Sequence, residues 1–420
     1  MPRSLAEWLR WQEALNPREI DLGLDRVRDI AADLPIAPPA GAVFTVAGTN
    51  GKGSTVAYIE GLLAAGGYRT GVYTSPHLVR YNERVVVDGV AAADDELTDA
   101  FTAIEAVRGR VPLTFFEFGT LAALLLFSAR RCDAWVLEIG LGGRLDAVNV
   151  IDPDFSLITS IALDHQDWLG DTIEDIAAEK AGIMRADAPA FYGDSPVPDA
   201  IGARAAQLGA RLYRYGQDFA ADAVGDSWAW RGETCRLHGL AAPEPRDDAG
   251  LRNLGIALAA LEQFDPALLT TSAVDAVVAG GRPAGRFQLV DREPQWILDV
   301  AHNPQAAGVL ADRLRAVGAR RDTTAVVGML ADKPLDEFVD ALAAQIDRWI
   351  VAPVDDPRAA DPADMCERIR ARVDAPVECA NATNAAFGRA EALTPSHGRV
   401  LCCGSFRIVG PAIEWLGLYS

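Results

Sequence analysis

The sequence predicts an α/β protein of two domains. The larger is built on a mostly parallel sheet around a phosphate-binding loop, and the smaller is a Rossmann-like α/β unit that follows it. Three observations carry this expectation. Short apolar, strand-like runs alternate with helix-length amphipathic stretches, the pattern of a parallel sheet covered by helices. At 420 residues the chain is too long for one ordinary core. Gly280, Gly281, Pro283 and Gly285 crowd into one short stretch, a linker signal that divides residues 1–284 from residues 285–420.

Residues 4–15 read as an amphipathic helix with Leu5, Trp8, Leu9, Trp11 and Leu15 apolar, ended by Asn16-Pro17. Asp21-Leu22-Gly23-Leu24-Asp25-Arg26 opens a second, short helix. An apolar strand over residues 43–47 breaks into Gly48-Thr49-Asn50-Gly51-Lys52-Gly53-Ser54-Thr55 and resumes as a helix. Strand, glycine loop, helix is the context in which backbone amides cradle phosphate and a lysine adds charge. The strict Walker spacing is not met, because Val46 takes the first-glycine place and Gly53 follows the lysine. Lys52 is expected to face solvent until a ligand arrives.

Thr70–Tyr73 reads as a strand ending in Thr74-Ser75-Pro76-His77-Leu78, and residues 85–89 as half a hairpin. Residues 97–107 are helical, and Thr114 with Glu117 forms a capping box opening a long helix to Arg130. Ala134–Glu138 is a buried strand ending in a carboxylate, followed by the glycine loop 140–146. Residues 155–163 read as another buried strand, ending in Asp164-His165, and a helix after it carries Glu179-Lys180. Beyond an irregular stretch at 205–250, a helix over 251–264 contains Asn253. The second domain shows strands at 296–300, 324–328, 348–351 and 399–403.

Composition limits the partners. Half the residues are hydrophobic and 23% are charged, as in a globular protein. A net charge of −20 argues against nucleic acid and membrane surfaces, both anionic. An anionic small substrate would need amides, Lys, Arg or a metal to reverse the field locally. The six cysteines are scattered with no C-x-x-C pair, which reads as free thiols in a reducing compartment. The first residues lack the apolar core of a signal peptide, and no run approaches the ~20 apolar residues of a membrane span. The expected compartment is the cytoplasm.

Ligands of open α/β sheets collect beyond the carboxyl ends of the strands. The phosphate loop, Ser75, Glu138, His165, and Asp299 with His302 all fall there. Taken singly, each histidine reads as a solvated loop residue, and their joint placement is what points to a site. Glu138 reads as a metal- or water-orienting carboxylate, or as a helix-cap acceptor. Lys180 reads as a paired surface charge or a site residue, and Arg286 as a phosphate contact or an interdomain salt bridge. Phe115 and Phe116 read as core by spacing, with a ligand platform left open by their place at a helix start.

Taken together, Gly48-Thr-Asn-Gly-Lys-Gly-Ser54, Thr74-Ser-Pro-His-Leu78, Thr114-Phe-Phe-Glu117, Glu138-Ile-Gly-Leu-Gly-Gly-Arg-Leu-Asp146, Asp164-His165, Glu179-Lys-Ala-Gly-Ile183 and Asp299-Val-Ala-His-Asn-Pro304 occur in order. The chain in this respect resembles the dihydrofolate synthase/folylpolyglutamate synthase family, a branch of the Mur-type ligases. The resemblance runs from Trp8 to Ser405. It implies a Mur-ligase-like P-loop ATPase domain and an ATP-dependent acid–amino-acid ligase. Such an enzyme joins L-glutamate to dihydropteroate and to reduced folates through an acyl phosphate, as a monomer and with no nucleic acid or membrane partner. A cleft that closes over a hydrolysable intermediate suits that chemistry.

By the same resemblance, Asn50, Gly51, Lys52, Gly53, Ser54, Asn253, Arg286 and Asp299 hold ATP. Ser75, Glu138 and His165 hold magnesium, two ions being implied, with a monovalent cation besides. Lys52, His165 and Lys180 are the implied catalytic residues, Lys180 in carbamylated form. Leu22, Gly23, Leu24, Asp25, Thr114, Phe115, Phe116, Glu117, Leu145 and Asp146 make the pterin-substrate surface, and His302 and Ser405 the glutamate site. The sequence departs from the family at Asn16, Val148, the segment 248–252 and Arg407, near the adenine and glutamate pockets. Folylpolyglutamate synthesis alone, another Mur-type ligation, or a nucleotide switch are the competing readings. The absence of a separate domain before the P-loop counts against a UDP-substrate ligase, and Asp299 with His302 against a switch.

Overall fold

The computed structural model describes residues 4–16, 20–317 and 322–419, so that Pro17 lies outside the described residues. Contacts divide the chain into two compact units. One comprises Met1–His77, Tyr81–Ala242 and Gly250–Gly280, and the other Leu78–Arg80, Pro243–Ala249 and Gly281–Ser420.

The first unit is built on an eight-stranded sheet. Its strands are β1 (Ala42–Ala47), β2 (Thr70–Tyr73), β3 (Val85–Val87), β4 (Val90–Ala91), β5 (Ala134–Glu138), β6 (Phe155–Ile158), β7 (Ala190–Tyr192) and β8 (Leu212–Arg214). They lie in the order β4-β3-β2-β5-β1-β6-β7-β8, parallel except for the β2–β3–β4 hairpin edge. β1 and β5 are buried at every position, which is why they read as unbroken apolar runs. The register aligns Val46 of β1 with Glu138 of β5, so their carboxyl ends finish level.

The helices α1 (Leu5–Leu15), α2 (Asp25–Asp33), α3 (Lys52–Ala65), α4 (Asp94–Arg108) and α5 (Phe115–Arg130) precede β5. After β6 come α6 (Gln166–Leu169), α7 (Ile173–Ala181) and, after β7, α8 (Asp199–Leu208). One face of the sheet packs on α1, α2, α4 and α5 through Trp8, Val27, Phe101, Phe118 and Trp135. The other face packs on α3 and on α9 (Asp248–Phe264) through Phe44, Ile59, Leu62 and Leu254. The irregular stretch 205–250 contains an antiparallel sheet of β9 (Ala220–Val224), β10 (Ser227–Arg231) and β11 (Arg236–Ala241). α10 (Thr271–Ala279) closes this unit.

The second unit holds a six-stranded sheet in the order β12-β13-β17-β14-β15-β16. These strands are β12 (Gln288–Val290), β13 (Gln295–Asp299), β14 (Thr323–Val327), β15 (Arg348–Val351), β16 (Val377–Cys379) and β17 (Arg399–Cys403). All pairs are parallel except the edge pair β12–β13. α11 (Pro304–Ala316), α12 (Leu335–Leu342), α13 (Pro362–Arg370), α14 (Thr383–Leu393) and α15 (Phe406–Trp415) cover it.

Two expectations are corrected. The strand expected over residues 155–163 ends at Ile158, because the backbone beyond it turns to bond the glycine loop. The expectation of six free thiols fails for Cys366 and Cys379, which form a disulfide with Cα atoms 6.2 Å apart. α13 lies against β16, which brings together two cysteines that sequence spacing does not pair. Cys132, Cys235, Cys402 and Cys403 are free.

Candidate active site

β1 ends inside the sheet, and the chain must leave it sharply to start α3. Gly48 does this with φ +148°, and a Cβ there would sit 1.9 Å from Thr159 Oγ1. Gly51 caps α3 with φ +89°, where a Cβ would meet Asn253 Oδ1 at 2.3 Å. Both places therefore require glycine, and Asn253 of α9 is brought against the loop. The loop is braced from beyond β6. Thr159 Oγ1 donates to Asn50 O at 2.6 Å, Ser160 Oγ to the same oxygen at 3.2 Å, and Thr49 N donates to Ser160 O at 2.8 Å. No side chain caps the first turn of α3, so an anion at Asn50, Gly51, Lys52, Gly53 and Ser54 would meet amides and the positive end of the helix.

Lys52 does not project into solvent as expected. It is half-buried and donates to Gly48 O at 2.9 Å and Thr49 O at 3.2 Å. Lys180 of α7, only 4% exposed, donates to the same Gly48 oxygen at 3.0 Å. Burial first, and then repulsion from Lys52, holds the Lys180 amine down to about 7 against the opposing pull of Asp164 and Asp146.

Because β2, β5 and β1 are neighbours, Ser75 and Glu138 finish beside the loop. Ser75 N donates to Glu138 Oε2 at 3.2 Å, and Glu138 is buried. His165 stands with φ +53° just before α6, and Asp164 Oδ1 accepts its N–H at 2.9 Å and lies 3.9 Å from its Nε2. Hydroxyl and carboxylate oxygens suit magnesium, so Ser75 and Glu138 fit the implied ion, whereas His165 is the less usual donor. Among the described residues no three of His, Cys, Asp and Glu cluster as metal ligands; the expected set holds only two such residues.

Arg26 joins two of the stretches expected to face the acceptor. Its Nε donates to Glu117 Oε1 at 2.7 Å, while Nη1 pairs with Asp21 Oδ2 at 2.9 Å. Glu117 closes the capping box of α5, its Oε2 accepting from Thr114 N at 2.7 Å. Leu22, Gly23, Leu24 and Asp25 are thereby set beside Thr114. Phe115 lies edge-on to Tyr81 and under the Arg84 guanidinium. Phe116 lies across Gly140, where a Cβ would meet its ring at 2.6 Å. Leu145 is half-buried, and Asp146 is buried, accepting from Leu141 N at 2.8 Å and Val148 N at 3.0 Å. The Asp146 carboxyl therefore shapes the glycine loop, and burial pushes it up to about 7.

The second unit gathers its own group at the carboxyl ends of β13 and β17. Arg286 stacks on Phe406 with its guanidinium carbon 4.9 Å from the ring centre, and His302 lies 6.4 Å from that ring. His302 Nδ1 donates to Val300 O at 2.8 Å, which fixes the tautomer and orientation of the ring. Asp299 is buried, accepting from Phe287 N at 2.9 Å and Ala301 N at 2.8 Å, with Arg313 Nη1 at 3.5 Å. Ser405 caps α15, accepting from Arg407 N at 3.1 Å.

Sequence reasoning missed Arg26, Arg84, Thr159 and Ser160, and named Asp164 only as part of the Asp164-His165 motif. Arg26 alone had a signal, since it directly follows Leu22-Gly-Leu-Asp25 and a buried glutamate needs a cation.

A model of the Mur ligase middle domain matches residues 46–232, and one of the Mur ligase glutamate ligase domain matches residues 285–406. The chain is 42% identical over 413 residues to the dihydrofolate synthase/folylpolyglutamate synthase of Escherichia coli (strain K12), covering 98% of this chain and 95% of that protein. Its structure is similar to that of E. coli FolC in complex with DHPP and ADP, with TM-score 0.93, 41% identity, and coverage of 99% and 98%. It is also similar to a bifunctional folylpolyglutamate synthase/dihydrofolate synthase with Mn, AMPPNP and L-glutamate bound, with TM-score 0.90, 41% identity and the same coverage. With the loop, the strand-end residues and both family domains in register, the chain belongs to the dihydrofolate synthase/folylpolyglutamate synthase family.

Proposed function

We propose that this chain is an ATP-dependent ligase that adds L-glutamate to dihydropteroate, forming dihydrofolate, and to reduced folates, forming polyglutamates. The observation that carries this reading is the phosphate loop, with Lys52 beside it and Ser75 and Glu138 at adjoining strand ends. An acceptor carboxylate oxygen attacks the γ-phosphorus and ADP leaves. The glutamate amine then attacks the acyl carbon, phosphate leaves, and the amine proton is lost. The loop amides and Lys52 neutralise charge on the transferring phosphate. Magnesium, held by Ser75, Glu138 and His165, would supply further charge neutralisation there. Asn253 is proposed beside the nucleotide, with Arg286 as a further contact and Asp299 as the group that sets the Phe287–Ala301 backbone. His302 Nε2 and Ser405 are proposed to take glutamate.

Two further elements belong to this reading. The neutral Lys180 amine is suited to attack CO2, losing a proton to give a carbamate. That change would put an anion beside the Lys52 amine, where two lysine amines otherwise share the Gly48 carbonyl. A second magnesium and a monovalent cation are proposed with it. The acting species is the monomer and the compartment the cytoplasm, where ATP is at hand.

The test is phosphate release from ATP with glutamate and dihydropteroate, with glutamate and a reduced folate, and with UDP-sugar peptides. Turnover in the first two and none in the third is expected. Turnover with the reduced folate alone reduces the enzyme to polyglutamate synthesis.

A further inference from the structure

We infer that Arg26 is a positioning residue that sets how the enzyme holds its pterin-bearing acceptor; this rests on the proposed function. The helix α2 starts without a side-chain cap, its N-cap being Leu24. Arg26 supplies what the cap does not. Its guanidinium binds the Asp21 carboxylate through Nη1 at 2.9 Å and the Asp21 carbonyl through Nη2, so the start of the 21–25 turn is tied back to the residue that follows it. The remaining face, Nε, reaches Glu117 Oε1 at 2.7 Å. Glu117 has a side chain only 4% exposed, and its other oxygen holds Thr114 N.

A fixed chain of bonds therefore runs from the Leu22-Gly23-Leu24 turn, through Arg26 and Glu117, to the backbone of Thr114 at the start of α5. α2 also packs against the short helix Ala147–Val150 that follows Asp146. One guanidinium thus registers two of the three stretches of the proposed acceptor surface, and the helix that carries it lies against the segment that follows the third. A lysine could neutralise Glu117 but could not also bind both Asp21 groups from one planar fork.

The inference is tested with Arg26→Met, Arg26→Lys and Asp21→Asn in the full chain. Dihydropteroate binding is measured directly by calorimetry, and steady-state KM is measured for acceptor, ATP and glutamate. Arg26→Met is expected to weaken acceptor binding about tenfold or more, leaving Glu117 buried beside no cation. KM for ATP and glutamate, and kcat at saturating acceptor, should stay near wild type. Arg26→Lys should recover part of the loss, and Asp21→Asn should show a smaller loss of the same kind. If Arg26→Met does not fold, as judged by circular dichroism, the same contrast is read from the other two. Acceptor binding equal to wild type in the folded variants overturns the inference alone, as does an equal rise in all three KM values. A wild-type protein that binds no dihydropteroate overturns the proposed function as well.

Discussion

Lys52 and Lys180 meet at one carbonyl oxygen, and their different burial gives them different chemistry. Lys52 is half-buried at the helix start, beside the loop proposed to hold phosphate. Lys52→Ala is expected to leave the fold intact and to lower kcat by about 10²-fold or more, the loss of a charge contact to a transferring phosphoryl group. Steady-state phosphate release with a melting curve for the same sample checks it. Lys180 is buried, and its amine is held at about 7 against an ordinary 10.5. Between those values the unfolded lysine binds a proton that the folded one does not, so its contribution to stability rises with pH from about 7 to 10.5. Asp146 is the mirror case, raised from 3.8 to about 7, so its contribution is full below 3.8 and is lost as pH rises through about 7. In CO2-free buffer, Lys180→Met should therefore flatten the gain in Tm that wild type shows between about pH 7 and pH 10. An unchanged slope would show that Lys180 keeps its proton in the fold. The buried neutral amine is also why ¹³CO2 should label this side chain, as a carbamate signal absent from Lys180→Met.

At the scale of the element, the glycine loops do most to shape the site. The loop after β1 has its path set by Gly48 and by hydroxyls of Thr159 and Ser160. Gly48→Ala would drive a methyl into Thr159, and should cost about 2 kcal/mol or more of stability along with nucleotide binding. Denaturant unfolding and ADP calorimetry read the two losses separately. The loop after β5 has its path set by Asp146, whose carboxyl bonds both Leu141 N and Val148 N. Because that side chain is turned into its own loop, Asp146→Ala should lower kcat/KM for dihydropteroate and for reduced folate alike. A selective loss with dihydropteroate would instead assign Asp146 a direct contact with that acceptor.

Across the whole molecule, the fold places the phosphate loop with Ser75 and Glu138, and Asp299 with His302 and Ser405, at the carboxyl ends of parallel strands. In the first unit, β2, β5 and β1 stand side by side, and that adjacency brings Ser75 to Glu138 and both to the loop. In the second, β13 and β17 do the same for Asp299, His302 and Ser405. Neither core depends on a metal for its packing, as both are continuous apolar clusters. Chelation with EDTA is therefore expected to abolish turnover while leaving the Tm unchanged, and added Mg²⁺ should restore activity. A large drop in Tm on chelation would assign the ion a structural role instead.

How much of this was legible follows from the range of each signal. Buried parallel strands and capped helices are local, so β1, β5, β13 and the start of α5 stood out as apolar runs or a capping box. The strand-end motifs were legible because each directly follows a strand-like run in the chain. The three-residue strands β7, β12 and β16 carry too little pattern to be read. The strand after Asp154 was overextended because residues 159–163 are as apolar as a strand, yet spend their polar groups on the loop across the sheet. The sequence alone determined the residue types and their order along the chain, which depend on local pattern, and its motifs carried the family resemblance that implied the class of chemistry. Only the tertiary structure decided that Lys52 and Lys180 share the Gly48 carbonyl, that Asp146 turns into its own loop, that Cys366 meets Cys379, and that Arg26 joins Asp21 to Glu117. Lys52 and Asp146 contact their own loops and Cys379 lies 13 residues beyond Cys366, but Lys180 is 132 residues from Gly48 and Glu117 is 91 from Arg26. Near or far, these outcomes turn on burial and on the direction of a single side chain, and no periodicity in the chain records either.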